Sequence, residues 1–138
     1  MNQNENPRAL VVGIGLKSEL LAELKDHLGE IEELAHAAGY EVVGHVSQVL
    51  VQYNPAFLLG SGKIQEIKQM AQETMASIII VDHELSGAQG RNLQQELGVR
   101  VIDRNQLILD IFAQRAQTFE GKLQVELAQM LDQLPRMV

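Results

Sequence analysis

The sequence predicts an α/β fold in which a four-stranded, mostly parallel sheet is flanked by helices and followed by one long C-terminal helix. Four short segments rich in Val and Ile alternate with four segments whose apolar residues recur at helical steps. The connections between the β-type segments are too long for hairpins, which indicates parallel pairing through helical crossovers. A length of 138 residues fits one compact domain with an appended helical element.

The first half of the chain contains two of the predicted strands and one helix. Residues 9–14 are aliphatic without polar alternation, which predicts a strand buried on both faces. Helical spacing over residues 18–38 follows, with Ser18 as the expected N-cap and Gly39 as the stop. Residues 41–51 are rich in valine, which favours a second strand.

The second half repeats the alternation. Asn54-Pro55 predicts a turn, and a second helix is expected to begin around residues 60–63. A third strand is predicted over 77–81, a third helix over 86–97 and a fourth strand over 99–102. The loops that follow parallel strands gather at one edge of the sheet, and ligands usually bind there.

The fourth strand leads directly into the longest helical segment. Asp103 is positioned to cap this helix, and Pro135 is expected to end it. Apolar residues recur at steps of three and four, which predicts one face that seeks a helical partner. This apolar stripe consists of Leu109, Phe112, Ala116, Phe119, Leu123, Leu127, Met130 and Leu134.

Composition and charge limit the classes of function. A net charge of -7 argues against tight non-specific nucleic-acid binding. Residues 1–99 hold six basic and 13 acidic side chains, whereas residues 100–138 hold five of each, so any RNA contact is expected in the C-terminal quarter. The absence of cysteine excludes disulfides and thiolate metal sites. A polar N-terminus and the absence of any long apolar run predict a cytoplasmic protein without a membrane span.

One glycine-rich segment suggests anion binding. Gly60, Ser61, Gly62 and Lys63 precede a predicted helix, where free N–H groups, the helix dipole and a lysine attract anions. A phosphate-binding Walker loop requires glycine and serine or threonine at positions that Phe57 and Ile64 occupy here. A loop with a helix N-cap is therefore the simpler interpretation, and generic anion binding stays open.

The other polar motifs do not complete a site. Gly13-Ile14-Gly15 follows a strand, but Ser18 stands at the third glycine position of a dinucleotide motif, so a tight turn is preferred. Asp82-His83-Glu84 has the chemistry for cation binding or acid–base work, yet no nucleophile accompanies it, and a solvated loop is preferred. Histidine spacing does not place two ligands on one helix face. The histidines are His27, His36, His45 and His83.

Several segments, most of them in the C-terminal part of the chain, together form a distinctive sequence pattern. They are Val101-Ile102-Asp103-Arg104, residues 107–116, residues 120–129 and Leu134-Pro135-Arg136, with upstream support from residues 60–63, Glu84-Leu85-Ser86, Gln89 and Arg91-Asn92-Leu93. Together they resemble the signature of the HflX family of ribosome-associated GTPases, from about residue 30 to the last residue. Gly87, Gly90 and Asp132 depart from the residues expected in that family, and the two glycines predict a weaker third helix.

The resemblance implies a domain organisation and a function. Residues 1–103 would form the α/β N-terminal subdomain, and residues 104–138 the first half of a helical hairpin toward a GTPase domain beyond Val138. The implied role is docking on the large ribosomal subunit, within a protein that uses GTP and Mg²⁺ and splits ribosomes under stress. The chain itself is expected to be neither an enzyme nor a cofactor-binding protein.

The expected partners are rRNA of the large subunit, the GTPase domain of a longer chain, and a second copy of this chain through the apolar stripe. The resemblance makes four basic residues candidates for RNA contact: Arg104, Arg115, Lys122 and Arg136. Two alternatives remain open at the level of sequence. One is a stand-alone dimerising module, and the other is a small nucleotide-binding hydrolase that uses residues 60–63.

Overall fold

The predicted alternation of strands and helices is confirmed by a computed structural model, which describes residues 6–16 and 21–133, without the side chains of residues 21–28, 125, 132 and 133. The elements in chain order are β1 (Arg8–Leu16), α1 (Leu21–Ala37), β2 (Glu41–Leu50), α2 (Ser61–Thr74), β3 (Ile78–Asp82), α3 (Gly87–Leu97), β4 (Arg100–Asp103) and α4 (Arg104–Gln133).

The four strands form one sheet in the order β2-β1-β3-β4, and all three pairings are parallel. β1 and β3 are central, and their aliphatic side chains are buried on both faces, as the absence of polar alternation predicted. The chain steps from β1 outward to β2 and then back past β1 to β3. Because crossovers are right-handed, this reversal puts α1 on one face of the sheet and α2 on the other.

Each face of the sheet carries its own hydrophobic layer. Residues of β1 and β3 that point to one face pack against Ile67 of α2 and Leu93 of α3. Residues that point to the other face pack against Ile31 of α1 and against Leu107 and Ile111 of α4. The first turns of α4 are therefore part of the folded core.

Helix ends follow the predicted chemistry where the structure describes them. The Oδ1 atom of Asp103 accepts a hydrogen bond from the backbone N–H of Gln106 at 2.9 Å, so Asp103 caps α4 as expected. Gly39 follows α1 with φ +91°, a conformation that glycine adopts without strain. The expected cap at Ser18 and the expected stop at Pro135 lie outside the described residues.

Helix α3 is present over Gly87–Leu97, as the sequence predicted, and it has a complete capping box. The Ser86 hydroxyl accepts from the N–H of Gln89 at 3.1 Å, and the Gln89 side-chain oxygen accepts from the N–H of Ser86 at 3.0 Å. These two bonds satisfy N–H groups at the start of the helix and offset the weak helix propensity of Gly87 and Gly90.

Candidate functional site: the carboxyl edge of the sheet and helix α4

The loop between β2 and α2 lies at the carboxyl edge of the sheet and is held by many polar contacts. The side-chain oxygen of Asn54 accepts from the N–H groups of Ala56 and Phe57 at 2.8 and 2.9 Å, which closes a tight turn. From α3, the amides of Gln89 and Asn92 donate to the carbonyls of Asn54 and Ala56 at 3.0 and 2.9 Å. The loop is therefore fixed by α3.

The glycine-rich segment forms the start of α2. Gly60 is the N-cap residue, without a side-chain cap, and its N–H donates to the side-chain oxygen of Gln48 at 3.3 Å. The ammonium of Lys63 lies 2.9 Å from the carboxylate of Glu66, one turn further along the helix. The lysine charge is thus already paired within α2, which weakens its attraction for an external anion.

A cavity of about 250 Å³ lies beside this helix start. Its lining includes Phe57, Leu59 and Ile64, and it also includes Glu96, whose carboxylate accepts from the Gln65 amide at 3.1 Å. A carboxylate on the wall opposes a phosphate ligand through like-charge repulsion. The cavity is therefore more suitable for an apolar or neutral group than for a nucleotide.

Arg104, at the start of α4, joins three elements. Its guanidinium donates to Asp82 at the end of β3 at 3.2 Å and to Glu30 of α1 at 3.3 Å. Burial acts to lower the pKa of Arg104, but the hydrogen bond and charge of Asp82, followed by those of Glu30, outweigh burial and raise the pKa above its usual value. The Asp82 side chain is only 6% exposed, so this arginine compensates a carboxylate that water hardly reaches.

Asp103, the cap of α4, also holds the neighbouring loop. Its second oxygen, Oδ2, accepts from the N–H of Leu85 at 3.1 Å, just before α3 begins. One carboxylate therefore connects the loop after β3 to the first turn of α4. Together with Arg104, it fixes the direction in which α4 leaves the domain.

Helix α4 has a packed face and an exposed face. Leu107 and Ile111 are buried in the core, and the Gln114 amide donates to the carbonyl of Ala38 at 3.2 Å. Every described side chain from Phe112 to Leu131 is exposed, so α4 projects from the domain beyond its first turns. The described members of the apolar stripe that are large are all exposed: Leu109, Phe112, Phe119, Leu123, Leu127 and Met130. Leu134 lies outside the described residues.

The four RNA-contact candidates fall into different environments. Arg104 is held by two carboxylates, whereas Arg115 and Lys122 are exposed and border one shallow groove with Phe119. Within the described part of the chain, neither Arg115 nor Lys122 lies within ion-pair distance of a carboxylate. Arg136 lies outside the described residues. Arg115 and Lys122 are therefore the two candidates with exposed, unpaired charge.

The structure brings two histidines together that the sequence spacing kept apart. His36 of α1 and His45 of β2 lie on either side of Glu32, with nitrogen–oxygen distances of 3.8 and 3.4 Å. His83, in the loop after β3, makes an edge contact with the Tyr53 ring at a centroid distance of 4.5 Å. The described residues contain no group of three His, Cys, Asp or Glu side chains arranged to hold a metal ion.

Comparison with known proteins places the chain in a family. A family model described as "GTP-binding GTPase N-terminal" matches residues 25–113. The chain belongs to this family. This confirms the resemblance derived from the segments around β4 and α4, and the match also covers the loops at the carboxyl edge of the sheet.

The relatives include full-length GTPases and a solved structure. The GTPase HflX of Caldanaerobacter subterraneus subsp. tengcongensis is 47% identical over 116 residues, which are 84% of this chain and 27% of that protein. The GTPase HflX of Alkalihalophilus pseudofirmus is 42% identical over 137 residues, 99% of this chain and 32% of that protein. A GTP-binding protein from Sulfolobus solfataricus in complex with GDP has a TM-score of 0.62 at 28% identity, covering 94% of this chain and 37% of that one.

The chain thus spans about a third or less of the length of these curated relatives. It corresponds to the N-terminal domain of HflX-type GTPases. Within the described residues, no helix combines the length and the apolar character that a membrane crossing requires.

Proposed function

We propose that this chain is a ribosome-docking domain of the HflX type, which binds rRNA of the large ribosomal subunit in the cytoplasm. The longer protein to which this domain would belong is a GTP-binding protein that splits ribosomes under stress. Membership of the HflX N-terminal family supports this assignment. The observation that carries it is the exposed, unpaired charge of Arg115 and Lys122 on a helix that projects from the domain.

The shape of α4 suits contact with a large partner. Thirty residues of helix are about 45 Å long, and only the first turns pack on the sheet. The rest of α4 projects from the domain, so its side chains can enter a groove of an RNA that a flat domain surface could not reach. Lysine and arginine bind phosphates by displacing counterions, so even two such contacts give binding a measurable salt dependence.

Ribosome docking through α4 is tested by co-sedimentation with purified large subunits. Replacing Arg115 and Lys122 together by glutamine is expected to weaken binding and to reduce the slope of log affinity against log salt by about one to two units, because each phosphate contact contributes roughly one. The matched control replaces Lys68 and Arg91, on α2 and α3, by glutamine, which removes the same charge elsewhere. Equal binding by the test and control variants would exclude Arg115 and Lys122 from the interface.

GTP and Mg²⁺ belong to the full-length relatives, and the residues of this chain do not fit them. The segment at residues 60–63 lacks Walker spacing, Lys63 is paired with Glu66, and Glu96 lines the adjacent cavity. We assign no catalytic step to this domain. In the proposed function it binds and positions, while nucleotide chemistry resides in the GTPase domain of a longer protein.

A nucleotide titration tests this division of roles. Fluorescent GTP added to the chain is expected to show no saturable micromolar site, because neither a phosphate loop nor a guanine-reading motif is present. The same titration in the presence and absence of Mg²⁺ provides the control. Saturable, magnesium-dependent binding that Lys63→Gln abolishes would instead support the nucleotide-hydrolase alternative at residues 60–63.

A further inference from the structure

Helix α1 runs alongside the first part of α4 and contacts it at two polar points. Near the middle of α1, the Glu30 carboxylate accepts from the Arg104 guanidinium at 3.3 Å. Just beyond the end of α1, the Ala38 carbonyl accepts from the Gln114 amide at 3.2 Å. The two contacts occur in the same order along both elements, and on α4 they lie about 15 Å apart. Two anchor points at this spacing define the direction of a helix.

Apolar packing alone does not fix the tilt of α4. Leu107 and Ile111 are buried in the layer formed by α1 and one face of the sheet, but they lie only one helical turn apart. Apolar contacts are non-directional, so two of them within one turn fix how deeply the helix sits and not where its far end points. Hydrogen bonds tolerate a narrower range of angles, and the two contacts with α1 therefore restrain the tilt.

The length of α4 turns a small tilt into a large displacement. The helix continues for about 33 Å beyond Ile111, as far as Gln133. A tilt of about 15° around Ile111 would move the end of the described helix by about 9 Å and the backbone of Lys122 by about 4 Å. The shift at Lys122 exceeds the length of a hydrogen bond, which is about 3 Å. A helix of this length therefore needs a restraint near its base if its side chains are to meet a fixed partner.

We propose that α1 aims α4, and that Glu30 and Gln114 are the positioning residues through which it does so. The purpose of this aim rests on the proposed docking function, because a helix already held in one direction presents Arg115 and Lys122 to RNA without losing orientational freedom on binding. Neither positioning residue needs to touch RNA. The restraint acts at the base of α4, so it holds whatever the helix packs against farther along.

A double variant removes both contacts with α1 and leaves the rest of the base of α4 intact. Glu30→Met removes the acceptor for Arg104, and Gln114→Met removes the donor to Ala38 while keeping a side chain of similar length. Arg104 keeps its ion pair with Asp82, and the buried residues of α4 are unchanged. Both replaced side chains are exposed, so the fold is expected to stay intact, and circular dichroism checks this.

Distances between two spin labels measure the direction of α4. Because the sequence contains no cysteine, labels can be attached at Gln72→Cys on α2 and Glu120→Cys on α4, with an excess of unlabelled chain so that only distances within one chain are recorded. The control combines Glu33→Met and Gln117→Met, the same replacements at exposed side chains of the same two helices. The double variant is expected to give a distance distribution broader than the control by roughly 3 Å, the shift of Glu120 for a tilt of about 15°. Equal widths would overturn the proposal.

Co-sedimentation with large subunits tests whether the aim of α4 serves docking. Relative to the control, which removes the same charge, the double variant is expected to bind about threefold or more weakly, with an unchanged slope of log affinity against log salt, because the phosphate contacts still form once the helix is oriented. Unchanged affinity beside a broadened distance distribution would overturn the positioning role. If the unmodified chain does not bind large subunits, the docking function fails, whereas the label distances, measured without ribosomes, still decide whether α1 aims α4.

Discussion

Replacing Leu107 by alanine is expected to lower the free energy of unfolding by about 2–5 kcal/mol, the usual cost of truncating a fully buried leucine. Leu107 has no exposed surface and packs in the hydrophobic layer formed by α1 and one face of the sheet. The truncated side chain would leave a cavity that the surrounding β1, β3 and α1 residues fill only in part. Urea denaturation followed by circular dichroism measures the change.

Leu109→Ala is the matched control, since it makes the same truncation two residues along the same helix. Leu109 is 60% exposed, so the expected loss is below about 0.5 kcal/mol when the chain is monomeric. Similar losses for both variants would mean that α4 packs on the sheet through a different face. The pair of variants thus tests the assignment of the packed and exposed faces on which the proposed docking role of α4 depends.

Much of the fold was predictable because local patterns are strong in this chain. Unbroken aliphatic runs marked β1 and β3, which are buried on both faces, and valine enrichment marked β2. The cap at Asp103 followed from its position before the long helical segment. The strand order was not predicted, because it depends on which strands pair, and pairing across the sheet leaves no local signal.

Helix α3 was predictable, but the contacts at its start were not part of the prediction. Gly87 and Gly90 are weak helix formers, whereas Ser86 and Gln89 stand at the spacing of a capping box. This spacing is a local signal in the sequence, and the structure shows both of its hydrogen bonds.

The environment of each candidate residue was harder to predict than the fold. Arg104, Arg115 and Lys122 were equivalent as basic residues of one helix. Arg104 meets Asp82 only because β3 and β4 are neighbours, and it meets Glu30 only because α1 and α4 share a face. The position of Asp82 at the end of a parallel strand was a sequence signal for a polar site. Its partner Arg104 could not be predicted in the same way, because it is 22 positions away in the chain.

Replacing Arg104 by methionine is expected to lower the free energy of unfolding by about 1–3 kcal/mol, because the Asp82 side chain would lose its one described ion-pair partner in a site that water hardly reaches. Methionine preserves the apolar stem and removes the guanidinium, so the change reports the lost pairing. Arg100→Met is the control: Arg100 pairs with Asp110 at 3.6 Å in a more exposed setting, and its loss is expected to stay below about 1 kcal/mol.

A double-mutant cycle with Asp82→Asn separates the ion pair from other effects of the Arg104 change. If the two side chains act together, the double variant is expected to be about 0.5–3 kcal/mol more stable than the sum of the single losses predicts. Additive losses would mean that Arg104 does not stabilise the domain through Asp82.

Co-sedimentation of Arg104→Met with large subunits tests whether Arg104 also contacts RNA. An arginine held by two carboxylates has little charge left for a phosphate, so we expect unchanged salt dependence from this variant and a reduced one from Arg115→Gln with Lys122→Gln. A stable Arg104→Met chain with a lower salt slope would instead place Arg104 in the RNA interface.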